Sequence, residues 1–196
     1  YGVVLNRADV IESTGHEIGE VVAGWLRRRP TAGAAGEPDP AAVTAEVTDL
    51  VIDHVAAEGQ PMTGVPETIA LFERWGLRLA IASSSPPRLI DAVVRRLGLD
   101  RITVRCSAAG VARGKPAPDV YLAAAAALGA DPAGCLALED SVTGVAAAKA
   151  AGMRCIAVPD PHLAGDPRYR AADLVLETLA GLDEPMLAGL GVHPAW

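Results

Sequence analysis

The chain has 196 residues, of which 51% are hydrophobic and 21% are charged, so it can form one globular domain or a core domain with a small lid. Its net charge of −7, with no basic run longer than Arg27-Arg28-Arg29, argues against a nucleic-acid partner and against binding to a membrane surface. The sequence contains no signal peptide and no apolar segment long enough to cross a bilayer, so we expect a cytoplasmic protein.

The first part of the chain is predicted to be helical. Apolar residues from Ile18 to Leu26 recur at helical spacing, and a second amphipathic helix is predicted from Ala41 to about Glu58. Residues 31–40, rich in Pro, Gly and Ala, are predicted to form a loop between them. On the second helix, the apolar face is predicted to contain Val43, Val47, Leu50, Val51 and Val55.

From Gly59 onwards, predicted helices alternate with predicted strands, which is typical of a parallel sheet covered by helices on both faces. Helices are predicted at 66–75, 87–97, 118–128 and from 142 to 151. Strands are predicted at 78–82, at 102–106, up to 139, at 154–158 and, weakly, at 173–176. The sequence therefore predicts an α/β fold.

Polar residues stand out at three positions. Two lie at the ends of the predicted strands 78–82 and up to 139, and the third precedes the predicted helix at 118–128. Ser83-Ser84-Ser85 supplies hydroxyls and backbone N–H groups that could hold an anion, although the serines could instead only cap the next helix. Lys115 lies between Gly114 and Pro116, which aims its ammonium towards a phosphate unless it is an ordinary exposed lysine.

Glu139 and Asp140 follow an apolar strand directly and precede a helix that Ser141 is placed to cap. Two adjacent carboxylates repel each other unless a cation or hydrogen-bond donors offset their charge, and oxygen ligands suit Mg²⁺. The pair is thus a candidate Mg²⁺ site, and the alternative is a solvated acidic pair at a helix start.

The combination resembles the haloacid dehalogenase superfamily, in the branch of β-phosphoglucomutase and small sugar-phosphate phosphatases. The segments that carry it are Ile81-Ala-Ser-Ser-Ser85, Gly114-Lys-Pro-Ala-Pro-Asp-Val-Tyr121 and Leu138-Glu-Asp-Ser-Val-Thr-Gly144. The resemblance covers nearly the whole chain. It implies a Rossmann-like core over residues 60–196 and a partial α-helical cap over residues 1–59.

The resemblance also implies roles for individual residues. Ser83 and Lys115 would be catalytic; Ser83, Ser84 and Lys115 would bind phosphate. Glu139 and Asp140 would hold Mg²⁺. In the family an aspartate on the first strand attacks phosphorus to form an aspartyl-phosphate, and a second aspartate two positions later protonates the leaving oxygen.

That first motif, Asp-x-Asp-Gly, is absent from this sequence. Asp9 is the only aspartate near the start, and its surroundings lack the second Asp and the Gly, so we reject it as the nucleophile. Because the chain starts at Tyr1 without Met, we expect a fragment that begins inside the cap, lacks the first strand and is inactive alone.

The leading hypothesis is a monomeric Mg²⁺-dependent phosphatase of a small phosphorylated metabolite, such as a sugar or polyol phosphate, once the chain is completed. A phosphomutase and a non-catalytic phosphate-binding protein are alternatives. The dehalogenase reaction is disfavoured. It needs no divalent cation, and without one the carboxylates of Glu139 and Asp140 would repel each other and any carboxylate substrate. A phospho-acceptor receiver domain is disfavoured too, because receivers lack a helical lid.

Overall fold

The computed structural model describes residues 1, 3–28 and 38–194. The described part of residues 1–59 contains the helices α1 (Arg7–Glu12), α2 (Ile18–Arg27) and α3 (Pro40–Glu58). Helices α2 and α3 confirm the prediction, whereas α1 was not predicted. Most of the predicted loop at 31–40, and Arg29 of the basic run, lie outside the described residues.

Helix α1 is short and begins at a capping box. The Asn6 side chain accepts a hydrogen bond from the N–H of Asp9 at 3.1 Å, and the Asp9 carboxylate accepts one from the N–H of Asn6 at 2.9 Å. Asp9 also pairs with Arg28 at the end of α2. Asp9, which is not the nucleophile, therefore caps α1 and pairs with the end of α2.

The rest of the chain alternates helices and strands as predicted. The elements are α4 (Val65–Arg74), β1 (Ala80–Ser83), α5 (Pro87–Leu97), β2 (Val104–Ser107), α6 (Asp119–Leu128), β3 (Leu136–Glu139), α7 (Val142–Ala150), β4 (Arg154–Ala157), β5 (Leu174–Val175) and α8 (Glu184–Gly189). The predicted α/β fold with parallel strands is confirmed. None of the described helices has the length and apolar character needed to span a bilayer.

The parallel strands form two separate sheets. Strands β1 and β2 pair with each other, and β3, β4 and β5 form the second sheet in the order β3-β4-β5. Among the described residues, no strand pairing joins β1 to β3. The two sheets therefore present one edge each, β1 and β3, to a shared cleft.

The cleft is a cavity of about 580 Å³ that runs along both strands. Its walls are mostly apolar and include Leu79, Ile81, Leu136, Leu138 and Phe72. On β3, the carbonyls of Cys135 and Glu139 accept hydrogen bonds from the β4 side. Because successive residues of a strand direct their backbone groups to opposite neighbours, the backbone groups of Leu136 and Leu138 face the cleft.

Helix α3 packs on α5 of the core. As predicted, Val43 is buried and Val47, Val51 and Val55 are half-buried, whereas Leu50 is 62% exposed and the unpredicted Thr48 is 1% exposed. The hydroxyl of Thr48 donates to the carbonyl of Thr44 at 2.7 Å, so its burial leaves no polar atom unsatisfied. The apolar periodicity of α3 therefore indicated the inward face and failed only at Leu50.

Asp173 ties the last strand of the sheet to its neighbours. Its Oδ2 accepts hydrogen bonds from Lys149 Nζ at 2.6 Å and from the Cys155 N–H at 2.7 Å. Partial desolvation raises the pKa of Asp173, but these hydrogen bonds outweigh that effect and hold its pKa below the usual value. The ionised carboxylate therefore stabilises the fold.

We expect Asp173→Ala to lower the free energy of unfolding by about 1–3 kcal/mol, because both donors lose their acceptor. Asp173→Asn keeps an acceptor for Cys155 and should cost less. Since the pKa is depressed in the folded state, the stabilisation exists above the ordinary aspartate pKa of about 4 and fades as the pH falls through the folded value. Urea unfolding of Asp173→Ala and the unaltered chain at neutral and acidic pH measures this pH dependence. A difference in the free energy of unfolding that stays constant with pH would contradict the prediction.

Candidate functional site

The serine turn lies at the carboxyl end of β1, and its hydroxyls do not cap helix α5. The N-cap of α5 is Pro86, which makes no side-chain capping bond. Ser83 Oγ accepts a hydrogen bond from the N–H of Ser85 at 3.1 Å, and Ser84 Oγ donates to the carbonyl of Gly15 at 2.7 Å. The helix-capping alternative is therefore wrong.

Lys115 is buried, so the exposed-lysine alternative is also wrong. Its side chain is 7% exposed, and its Nζ donates to the carbonyl of Ala82 at 3.2 Å and to Oε1 of Glu139. Ala82 belongs to β1 and Glu139 to β3. The ammonium therefore bridges the two sheets at the carboxyl end of the cleft.

The Glu139 carboxylate is buried and surrounded by donors. Oε1 accepts hydrogen bonds from Lys115 and from the Tyr121 hydroxyl, and Oε2 accepts one from Ser141 Oγ at 3.2 Å. Ser141 also caps α7, as predicted, by accepting the N–H of Gly144 at 3.0 Å. A buried carboxylate is stable only with such partners, so this cluster fixes the side chain of Glu139.

Asp140 differs from its neighbour because it is exposed and lies at the wall of the cleft. Nearby protein atoms partly desolvate its carboxylate, and together with the charge of Glu139 this raises the pKa of Asp140. Its backbone carbonyl accepts a hydrogen bond from the hydroxyl of Tyr169 at 2.6 Å. The solvated-pair alternative thus fits Asp140 but not Glu139.

The oxygen donors of Glu139 and Asp140 suit a hard cation such as Mg²⁺, which commonly takes one or two carboxylates and completes its shell with water and phosphate oxygens. Within the described residues, no group of three or more His, Cys, Asp or Glu side chains lies close enough together to hold a metal ion. The pair therefore fits Mg²⁺ as part of a ligand set.

The turn at Thr14 and Gly15, between α1 and α2, covers this end of the cleft. Besides the bond from Ser84 to Gly15, Thr143 Oγ1 donates to the carbonyl of Thr14 at 3.5 Å. Gly15 has a φ of +81°, and a Cβ there would overlap the side chains of Ser141 and Thr143. Only glycine allows this close approach without strain.

We expect Gly15→Ala to open this contact. The methyl group adds strain at positive φ and pushes the turn off Ser141, so the free energy of unfolding should fall by about 1–2 kcal/mol and the turn should exchange its amide hydrogens faster. Hydrogen-exchange mass spectrometry of the segment around residue 15 measures this. Gly110→Ala is the matched control, since a Cβ there meets open space and should leave this exchange rate unchanged.

Sequence reasoning missed two functional neighbours, Tyr121 and Tyr169. Tyr121 was noted only as the end of the motif that contains Lys115, and its place in the first turn of α6 gave no sign that its hydroxyl reaches Glu139. Tyr169 lies on a short 3-10 helix at Pro167–Ala171, inside a segment with no periodicity, and nothing in the sequence indicated its contact.

Comparison with known proteins places the chain in a family. Residues 4–152 match the family model described as haloacid dehalogenase-like hydrolase. The chain belongs to the haloacid dehalogenase-like hydrolases. This confirms the resemblance inferred from the three segments that contain Ser83, Lys115 and Glu139.

Several haloacid dehalogenase-like proteins are close relatives. Hexitol phosphatase B of Escherichia coli strain K12 is 39% identical over 191 residues, which cover 96% of this chain and 84% of that protein. The plasmid-encoded protein CbbY of Cupriavidus necator is 41% identical over 150 residues, covering 74% of this chain and 59% of that protein. The crystal structure of CbbY from Rhodobacter sphaeroides in complex with phosphate superimposes with a TM-score of 0.82 at 30% identity, covering 95% of this chain and 84% of that one.

A β-phosphoglucomutase from Clostridium difficile shares the fold, with a TM-score of 0.78 at 18% identity over 96% of this chain and 82% of that one. Hexitol phosphatase B and CbbY place the chain in the sugar-phosphate phosphatase branch of the haloacid dehalogenase-like hydrolases.

Proposed function

We propose that this chain is the larger part of a Mg²⁺-dependent phosphatase that hydrolyses a hexitol phosphate or a similar sugar phosphate. The nucleophilic aspartate would come from a segment outside the 196 residues. The observation that carries the proposal is the cleft between β1 and β3, which ends at Lys115 and the acidic pair.

An extended segment suits this cleft chemically. Both of its long walls are strand edges, and the carbonyl of Ala82 and the backbone groups of Leu136 and Leu138 face inward. A strand inserted between them would pair with both edges and complete one continuous sheet. If that strand ran parallel to its neighbours, its carboxyl end would lie beside Lys115.

The residues at that end have separate tasks in the proposal. The N–H of Ser84 and the hydroxyl of Ser83 bind phosphate oxygens, while the Ser84 hydroxyl keeps its bond to the cap. Lys115 lies between the phosphate and the attacking carboxylate and offsets their mutual repulsion. The attacking carboxylate would form a bond to phosphorus while the bond from phosphorus to the alcohol oxygen breaks, and this oxygen would take its proton from the second aspartate of the same outside segment. Water would then attack phosphorus, return a proton to that second aspartate and release phosphate from the first.

Glu139 and Asp140 would hold the cation, which supplies charge neutralisation to the phosphate oxygens when bound. Asp140 is the more accessible of the two, because the oxygens of Glu139 already accept bonds from Lys115, Tyr121 and Ser141. Glu139 therefore contributes to the metal site while it anchors Lys115.

Support for the substrate class comes from two relatives. One is named hexitol phosphatase B, and the structure of a CbbY variant from Rhodobacter sphaeroides was determined with xylulose-1,5-bisphosphate; this chain is 31% identical to that CbbY variant. A phosphorylated polyol or sugar is thus the first substrate class to test. The division into a cap at residues 1–59 and a core at residues 60–196 belongs to the same proposal.

The experiment restores a strand segment that carries Asp-x-Asp upstream of Tyr1 and measures phosphate release from a panel of hexitol and sugar phosphates. We expect turnover that EDTA abolishes and added Mg²⁺ restores. The same protein with Asn in place of the first restored Asp is the matched control and should be inactive. Turnover that survives EDTA, or an active control, would contradict the proposal, and conversion to an isomeric sugar phosphate would indicate a mutase.

A further inference from the structure

Tyr121 touches the ion pair at the end of the cleft in two ways. Its hydroxyl donates to Oε1 of Glu139, the same oxygen that accepts from Lys115. Its ring lies beneath the ammonium, with Lys115 Nζ 4.8 Å from the ring centroid. Tyr121 is 7% exposed, so neither contact is shared with bulk solvent.

These two contacts restrict Lys115 on different sides. The face of an aromatic ring attracts an ammonium within about 6 Å, which holds Nζ against the ring. The hydroxyl meanwhile fixes Oε1 of Glu139, the oxygen that accepts from Lys115, so the position of the ammonium depends on this bond as well. Lys115 thereby stays at the carbonyl of Ala82, facing the cleft.

We propose that Tyr121 is a positioning residue that holds the Lys115 ammonium at the carboxyl end of the cleft, where its charge is available to a phosphate. The phosphate part rests on the proposed function, whereas the placement of Lys115 does not. Tyr169 makes a useful comparison, because its hydroxyl bonds to the backbone of Asp140 and makes no hydrogen bond to Lys115 or Glu139 among the described residues.

The two functions of Tyr121 can be separated by substitution. Tyr121→Phe keeps the ring beneath the ammonium and removes the hydroxyl. Tyr121→Leu removes both. Because Tyr121 belongs to a buried core cluster, we expect Tyr121→Leu to lose much of its stability. Tyr121→Phe is therefore the variant that tests the role of the hydroxyl.

The chain contains only two lysines, Lys115 and Lys149, so lysine-selective ¹³C labelling gives two sets of side-chain NMR signals, one of them an internal reference. In the unaltered chain, we expect the Lys115 Cε protons to be shifted upfield by the ring and the Cε relaxation to indicate a rigid side chain. Tyr121→Phe should keep the upfield shift but show a mobile Lys115. Tyr169→Phe should leave the Lys115 signals unchanged.

Titration with inorganic phosphate adds a binding readout. Without the hydroxyl, the Glu139 carboxylate that holds Lys115 is less fixed and the ammonium is less well placed, so Tyr121→Phe should weaken phosphate binding about tenfold, the size expected for one hydrogen bond to a charged group. The Lys115 signals report this directly.

An unshifted Lys115 signal in the unaltered chain, or equal rigidity in Tyr121→Phe, would overturn the proposal. If Lys115 loses rigidity in Tyr121→Phe but the completed protein releases no phosphate from any ester, the proposed function fails and the positioning role stands.

Discussion

Lys115→Met is expected to destabilise the chain and to abolish phosphate release from the completed protein. Glu139 would then be a buried carboxylate without its counter-ion, and breaking a buried ion pair in this way costs about 3–5 kcal/mol. Tyr121 and Ser141 still donate to Glu139, so the loss in the free energy of unfolding should lie near the lower end of this range. Turnover should fall by about 10³-fold or more, since a positioned donor at the reacting group is removed.

Urea unfolding and phosphate-release assays measure the two effects. The double variant Lys115→Met with Glu139→Gln should recover stability without recovering activity, because the buried charge is gone but the ammonium is still absent. Lys149→Met is the matched lysine control; it loses a bond to Asp173 and should keep turnover. A Lys115→Met protein with normal turnover would contradict the role given to this residue.

Gly144→Ala is expected to give the second large effect. A Cβ at this position would overlap the carboxylate of Glu139, which is held on its other sides by Lys115, Tyr121 and Ser141. The carboxylate has nowhere to move without breaking those bonds. Overpacking of this kind lowers the free energy of unfolding by about 1–3 kcal/mol. For Gly144→Ala we expect the upper end of this range, together with loss of the bond from Lys115 to Glu139.

The control for this prediction is another helical glycine. Gly189 lies in α8, and a Cβ there meets open space, so Gly189→Ala should raise the free energy of unfolding by up to about 1 kcal/mol through helix propensity. If the cause at Gly144 is steric, denaturant unfolding should show a lower free energy of unfolding for Gly144→Ala and a higher one for Gly189→Ala. Gly144→Ala as stable as the unaltered chain would contradict the tight packing around Glu139.

Local signals in the sequence located the helices and the polar turns. Helix α5 was predicted from Pro87 to Leu97 because Pro suits a first turn and Gly98 suits the left-handed end, and both bounds agree with the structure. The strands β1 and β2 begin two residues later than predicted, since a strand start depends on its neighbour and not on its own apolar pattern.

Contacts that join distant segments were beyond the sequence. The bond from Ser84 to Gly15 links residues 69 positions apart, and the one from Thr143 to Thr14 links residues 129 apart. The predicted face of α3 was wrong only at Leu50, because the edge of a buried face depends on the helices beside it, which here are α2 and α5.

The sequence by itself determined the family, the α/β order and the types of side chain at Ser83, Lys115, Glu139 and Asp140, because motif spacing and local periodicity are properties of a single segment. Only the tertiary structure decided that Lys115 bridges the two sheets, that Tyr121 joins its ion pair with Glu139, and that the edges of β1 and β3 face one cleft. Those features depend on packing between segments, where burial removes competing water and makes each charge require a specific partner.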